Sequence, residues 1–412
     1  MTNANRVQNG GFEQSSPPAL PPFWSGNGFT QSGGTQLLGN NNALLLTPGE
    51  NINQILLPLE VGQIYQFQAA FSTSPIATTG TIDIGITGTI TRHFQGANIE
   101  GSNEYVYYSF DFTATVASPT LIIGNNTDAN VVIDVVSVKL ANPNLVQNGD
   151  FEQSFQPALS PFWSGTGSTE TGGSQLLGDN NARLNVGETI SQALLPLEVG
   201  QIYQFQAAFE AVATTGTIDI GITGTTTRKF QGLNINTSAY SYYNFDFTAT
   251  VASPTLIIAN NTDADVVIDV VSVKLANPNL VRNGGFEQSV QPGLPPFWSG
   301  TGSTVTGGTQ LLGFTNARLS VGQTISQALL PLEVGQIYQF QAAFEAGGSG
   351  TVDIGITGIT TRQFQGGNMV DTQEYAYYSF DFIATVASPT LTITNNTVAA
   401  SVIIDVVSVK LA

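Results

Sequence analysis

Between Ile64 and Phe71 the residues Tyr65, Phe67, Ala69 and Phe71 fall on one parity, and Gln66 and Gln68 fall on the other. That period of two is the mark of a half-buried β-strand. It recurs where Ile82, Ile84 and Ile86 alternate with Asp83, Gly85 and Thr87, and where Tyr108, Phe110, Phe112 and Ala114 alternate with Tyr107, Ser109, Asp111 and Thr113. Further runs at Leu121 to Ile123 and Val131 to Val138 are rich in β-branched residues, and Gly, Asn-Asn-Thr, Ser-Pro and Pro-Pro clusters separate the runs. No segment sustains a period of 3.6. Many short alternating strands with turn signals between them predict an all-β fold, an antiparallel β-sandwich of jelly-roll type.

The pattern occurs three times. Val-Gln-Asn-Gly-Gly-Phe-Glu-Gln at Val7 to Gln14 returns as Val-Gln-Asn-Gly-Asp-Phe-Glu-Gln from Val146 and as Val-Arg-Asn-Gly-Gly-Phe-Glu-Gln from Val281, which places Asn9, Asn148 and Asn283 at separations of 139 and 135 residues. Pro-Phe-Trp-Ser-Gly recurs around Trp24, Trp163 and Trp298, and each copy closes on Ile-Asp-Val-Val-Ser-Val-Lys-Leu-Ala around Asp134, Asp269 and Asp405. A period this long, with a full set of strands inside it, means tandem globular domains rather than a solenoid. The expected domains are residues 1–141, 142–276 and 277–412. Their joints, Asn142-Pro143-Asn144 and Asn277-Pro278-Asn279, are short and stiffened by proline, which predicts a semi-rigid row.

Composition narrows the function. Of 412 residues 41% are hydrophobic and 10% charged, with 11 Lys+Arg against 29 Asp+Glu and a formal net charge of -18. Nucleic acid and anionic membrane surfaces are disfavoured partners for such a chain. Without cysteine there is no disulfide, thiolate metal site or catalytic thiol, and the single histidine, His93, leaves little for zinc or Ser-His chemistry. Lys229 and Gln363 stand at the positions matching His93, so it is not the base of a repeated site and is expected at an exposed strand end. The N-terminus lacks the basic cluster and apolar run of a signal peptide, and no apolar stretch approaches a membrane span.

The opening and closing strings together resemble the jelly-roll carbohydrate-binding modules with a galactose-binding-like fold. The residues that carry the resemblance are Asn-Leu-Val-Gln-Asn-Gly-Asp-Phe-Glu at Asn144 to Glu152, Trp163, and Val-Ile-Asp-Val-Val-Ser-Val at Val267 to Val273, with their counterparts in the other copies. The resemblance implies glycan binding and a structural calcium held by Glu13 with Asp134, Glu152 with Asp269, and Glu287 with Asp405. Valine (Val135, Val270, Val406) replaces the second aspartate of the family's closing strand, which removes a carboxylate from any such site. The alternative is that Glu13 caps backbone amides and Asp134 makes a strand-end hydrogen bond.

Read from the residues alone, Gln66, Gln68, Asp83, Tyr105 and Tyr107 lie opposite the aliphatic and Phe positions, with Arg92 nearby. Exposed aromatic rings flanked by amides and carboxylates suit the apolar faces and hydroxyls of sugars, and equally a polar protein interface. The matching candidates are Asp219, Arg228, Tyr240 and Tyr242 in the second copy and Asp353, Arg362, Tyr375 and Tyr377 in the third. Asp83 and Asp111 form a nominal carboxylate pair for glycoside chemistry, but short loops argue against a catalytic cleft. Asp111 with Arg92 is the competing cross-strand ion pair, and Trp24, Trp163 and Trp298 read as plugs at the core's edge. The expected protein is a non-enzymatic extracellular or cell- or spore-surface glycan binder without a required cofactor. The alternative is a structural protein that assembles with copies of itself, as in coats and appendages.

Overall fold

The computed structural model describes residues 4–412 apart from 34, 102–103, 155, 160, 173–174, 236–238, 290–291, 307–309 and 371–374. In the first repeat the strands are β1 (Ser25–Gly26), β2 (Phe29–Ser32), β3 (Asn41–Leu45), β4 (Asn51–Ile55), β5 (Ile64–Ser74), β6 (Thr81–Ile86), β7 (Arg92–Gln95), β8 (Val106–Thr113), β9 (Thr120–Asn125) and β10 (Asn130–Leu140). They form two antiparallel sheets of order β1-β4-β9-β6-β7 and β2-β3-β10-β5-β8, and the other two repeats reproduce both. The chain passes between sheets at most connections, so each repeat is a jelly-roll sandwich, as its period of two predicts. Inward residues fill the space between the sheets. Phe67 stacks on Phe110 with centroids 5.3 Å apart, and Tyr65 on Phe112 at 6.0 Å.

The repeats do not stand in a row. In the first repeat, the backbone of β7 reaches the segment that precedes the second repeat's counterpart of β3: the amide of Gln95 donates to the carbonyl of Leu176 at 3.2 Å. Gln231 of the second repeat donates to Leu311 of the third at 3.4 Å, and Gln365 of the third returns to Leu37 of the first at 3.1 Å. The third contact closes a pseudo-threefold ring within one chain. The proline joints serve the turn into the next repeat instead of spacing the repeats out: Asn142 Nδ2 donates to the carbonyl of Leu275 and Asn277 Nδ2 to that of Leu411.

One buried carboxylate per repeat links this ring to the sandwich inside it. In β10 the pairing with β5 slips between Asp134 and Ser137, and the inward side chains change from Val131 and Ile133 to Val136 and Val138. This is a β-bulge, whose extra residue, Val135, takes the left-handed conformation at φ 52°. That conformation is unfavourable for a β-branched residue, and Asp134 holds it. Its Oδ1 accepts the Val135 amide at 2.8 Å, while Oδ2 accepts the amides of Leu37 and Leu38, each at 3.1 Å. Leu37 is also the acceptor for Gln365, so the same carboxylate shapes the last strand and positions the docking segment of the next repeat. Asp269 and Asp405 do likewise with Leu176 and Leu177, and with Leu311 and Leu312.

The opening motif packs on the bulge. The Val136 amide donates to the Gly10 carbonyl at 2.9 Å, and a Cβ on Gly10 would sit 2.0 Å from the Val136 oxygen, so only glycine fits. Trp24 Nε1 donates to the Asn9 carbonyl and the indole packs on Phe12 at 5.2 Å, the plug expected of it.

Replacing Asp134 with Ala leaves three amides without acceptors, that of the buried Leu37 and those of the half-buried Leu38 and Val135. At about 1–3 kcal/mol for each such group, the variant is expected to lose at least about 3 kcal/mol in a denaturant titration. An unchanged midpoint would mean that the carboxylate does not hold the bulge.

Candidate functional site

The expected tyrosine face is not a surface. Tyr105, Tyr240 and Tyr375 are fully buried, and their phenols accept from Asn42, Asn181 and Asn316 Nδ2, each at 2.9 Å. Tyr107, Tyr242 and Tyr377 are each 5% exposed because the ring of repeats covers them. Tyr107 Oη donates to the carbonyl of Ser379 at 2.7 Å, Tyr242 Oη to Ser109 at 2.8 Å, and Tyr377 Oη to Asn244 at 2.9 Å. Each therefore bonds strand β8, or its counterpart, in the preceding repeat around the ring. The sequence placed these rings on an outward face of their sandwich, and a neighbouring repeat covers that face.

Ion pairs flank the phenols with the same threefold order. Lys139 Nζ lies 2.6 Å from Asp381, Lys274 2.7 Å from Asp111, and Lys410 2.6 Å from Asp246. Asp111 therefore pairs with a lysine of the second repeat and not with Arg92, whose guanidinium lies 3.6 Å from Asp150. Gln66 donates to Asp111 at 3.4 Å, and Gln66 and Gln68 face the ring's axis.

Asp83 sits on the other sheet, in β6, so it and Asp111 form no carboxylate pair. Thr81, His93 and Asn126 surround it at 2.6, 2.7 and 2.7 Å. Burial pushes its carboxyl up, but these hydrogen bonds and the imidazole outweigh that and leave it below the usual carboxylate range. His93 is half exposed at a strand end, as expected. Asp219 meets Lys229 in the second repeat and Asp353 meets Gln363 and Asn396 in the third, so the outer-sheet cluster keeps its carboxylate while its partner changes. Arg228 and Arg362 lie over Phe245 and Phe380, each 5.9 Å from the ring centroid.

The residues expected to hold calcium are surrounded by donors. Glu13 accepts the amides of Asn40 and Asn41 at 3.0 Å, and Asp134 accepts the three amides of its latch. Glu152 and Glu287 repeat the first arrangement, Asp269 and Asp405 the second. Burial pushes Asp134 well above the usual carboxylate range, against the pull of its amides, and the nearby Glu13 charge adds to the rise. A calcium ion needs six to eight oxygens, whereas backbone N–H groups face these carboxylates. As arranged, the set suits amide capping and does not fit a cation.

A feature absent from the sequence candidates is an exposed ring in every repeat. Phe23, Phe162 and Phe297 are 56%, 54% and 51% exposed and take φ values of 77°, 76° and 76°. The Trp24 amide donates to the Pro21 carbonyl at 3.2 Å, which makes Pro22-Phe23 the centre of a tight turn with phenylalanine where glycine is the usual residue. Arg282 lies 4.9 Å over the Phe297 ring, and Gln8 and Gln147 occupy the matching positions in the first two repeats. Beside the turn, Ser25 donates to Asn53 at 2.7 Å, and Ser164 with Ser191 and Ser299 with Ser326 take the same places. The adjacency of Phe and Trp in Pro-Phe-Trp was the available signal, since two neighbouring residues of an extended segment do not both enter one core.

No protein-family model matches the chain, and no curated protein matches it. Among solved structures it is similar to carbohydrate-binding modules. The N-terminal CBM22-1–CBM22-2 tandem domain of Paenibacillus barcinonensis Xyn10C matches at 10% identity and a TM-score of 0.25 over 66% of this chain and 98% of that one. A family 16 carbohydrate-binding module matches at 18% identity and a TM-score of 0.26, over 32% of this chain and 99% of its own. TmCBM61, in complex with β-1,4-galactotriose, matches at 13% identity and a TM-score of 0.25, over 33% and 99%.

Burial pushes the phenols of Tyr107, Tyr242 and Tyr377 well above the usual tyrosine range. A raised pKa means that the protonated phenol is favoured by folding, so its contribution is complete below the ordinary value of about 10 and is lost as pH rises beyond it. The melting temperature is expected to fall above about pH 10, and less steeply in a Tyr107→Phe, Tyr242→Phe, Tyr377→Phe variant. Identical alkaline profiles for the two proteins would place the phenols outside the ring's stability.

Proposed function

We propose that the chain is a non-catalytic glycan-binding module of a cell or spore surface, with one binding turn per repeat centred on Phe23, Phe162 and Phe297. The observation that carries this reading is the cost of those turns. A bulky residue at positive φ costs about 1–3 kcal/mol, and each ring is left half in solvent, so packing within the chain does not repay that cost. The same choice in three repeats points outward, to a ligand. An aromatic face edged by serine hydroxyls and amides matches the alternating apolar and hydroxylated surface of a sugar.

Closure of the ring favours this reading over an array of copies. The repeated docking faces, with Tyr107, Tyr242 and Tyr377 at their centre, are occupied within the chain, so those faces do not serve growth from one molecule to the next. The ring also fixes three turns in one rigid body, which raises avidity for a polysaccharide of matching spacing.

Polysaccharide retention is expected to fall stepwise as Phe23, Phe162 and Phe297 are changed to Gly, by roughly fivefold per ring from the about 1 kcal/mol that an aromatic contact is worth. Glycine accepts positive φ, so the melting temperature of each variant is expected to stay level or rise. Undiminished retention in the folded triple variant would contradict the proposal.

A further inference from the structure

A cleft lies at each contact between neighbouring repeats. One side is the opening motif and the bulge of one repeat, and the other is an arginine, a phenylalanine and an aspartate of the repeat docked on it, as with Arg92, Phe110 and Asp111. In every cleft the aspartate is paired with a lysine, so the arginine is the cation that remains. At that arginine the clefts differ. Asp150 of the second repeat lines its cleft and lies 3.6 Å from Arg92. Gly11 and Gly285 stand at the matching positions, and there the exposed Arg362 and Arg228 lie over Phe380 and Phe245, without an ion pair or side-chain hydrogen bond to any described residue. The cleft that holds Asp150 has a volume of about 220 Å³, against about 320 Å³ at Arg228 and about 620 Å³ at Arg362. The backbone does not demand these glycines. Neither takes a positive φ, and a Cβ on either would come no nearer than 3.9 Å to an atom beyond its chain neighbours.

We propose that the clefts of Arg228 and Arg362 each bind the carboxylate of a sugar acid, a uronate residue of an acidic glycan, and that Asp150 fills the third cleft in its place. The Asp150 side chain shows where a carboxylate meets this arginine, and a free guanidinium presents two parallel N–H groups that match both oxygens of one. Beside the arginine the walls carry Asn244, Asn283 and Ser408 in one cleft and Asn9, Ser137 and Ser379 in the other. These mixed donors and acceptors suit hydroxyls on the same molecule as the carboxylate, which a sugar acid has and the side chain of an acidic peptide lacks. Glu13 and Glu287 also line the clefts, with their oxygens turned onto backbone amides. Their charge and that of the acidic chain oppose an anion at long range, so binding rests on the short contact and is of modest affinity. The clefts are separate from the phenylalanine turns and stand whether or not those bind glycan.

The arginine Nε–Hε resonances of the full chain, followed during titration with sodium D-glucuronate at constant ionic strength, test the clefts one by one. Those of Arg228 and Arg362 are expected to shift and saturate while that of Arg92 stays. Arg228 and Arg362 unmoved by glucuronate, or Arg92 moving with them in the unaltered protein, would overturn the proposal. Asp150→Gly is expected to bring Arg92 into the response, and an Arg92 still silent in that folded variant contradicts the filled third cleft. Gly11→Asp with Gly285→Asp is expected to weaken the responses of Arg362 and Arg228 about tenfold, the worth of one charge-assisted hydrogen bond, and undiminished binding counts against the site. D-Glucose is expected to move none of the three resonances, and a response equal to that of glucuronate rejects the carboxylate. N-Acetylaspartate is expected to bind more weakly than glucuronate; equal binding rejects the sugar in favour of an acidic peptide. The variant with Phe23, Phe162 and Phe297 changed to Gly is expected to keep the arginine response, so the two readings fail separately.

Discussion

The carboxylate of Asp134, with its counterparts Asp269 and Asp405, is the constraint on which the rest of the molecule depends. It is fully buried and holds three backbone amides that belong to two separate pieces of chain. One piece is the bulge of the last strand, against which the Asn-Gly opening motif packs. The other is the Leu37–Leu38 segment, which receives the neighbouring repeat. A bulge elsewhere would be a local irregularity; here it ties the closure of each sandwich to the closure of the ring. Burying a carboxylate is costly unless its oxygens are met by donors, and the amides meet them in all three repeats.

Ring closure then decides which surfaces remain for function. Tyr107, Tyr242 and Tyr377 are taken out of water, and their phenols, with the lysine–aspartate pairs beside them, make the contact between repeats directional. What is left outside is the second sheet of each sandwich apart from its docking edge, β7 or its counterpart, with the Asp83-type clusters, and the rim that carries Phe23, Phe162 and Phe297. A heterologous contact between near-identical repeats either closes or propagates, and three turns of this one bring Gln365 back to Leu37.

The strands were legible because inward and outward residues alternate cleanly in β5, β6 and β8, and the repeats because their opening and closing strings barely vary. The bulge was not. Val131 to Val138 reads as a β-branched run in which Asp134 and Ser137 are the polar interruptions, and a lone aspartate in such a run does not tell a bulge, at which the inward parity changes, from an outward-facing position. The tyrosine face failed for a related reason. Period-two reasoning separates the two faces of one strand but does not say whether the outer face meets water or another domain. The unbroken Tyr105-Val106-Tyr107-Tyr108 run was the available sign, since burial on both faces produces such runs. Short proline joints suggested a row because linker stiffness says nothing of the angle at which successive repeats meet. The phenylalanine turns went unread because their distinguishing property is a backbone angle.

The central claim is that the chain is a closed ring of three sandwiches, and small-angle X-ray scattering of the full chain at low concentration tests it most directly. A compact body of this length has a radius of gyration of about 22 Å by the usual scaling, whereas three sandwiches in an open row give roughly 30 Å or more. The account predicts the smaller value and a distance distribution with a single maximum. A radius near the larger value, or a distribution with a second maximum at the spacing of neighbouring repeats, would contradict it.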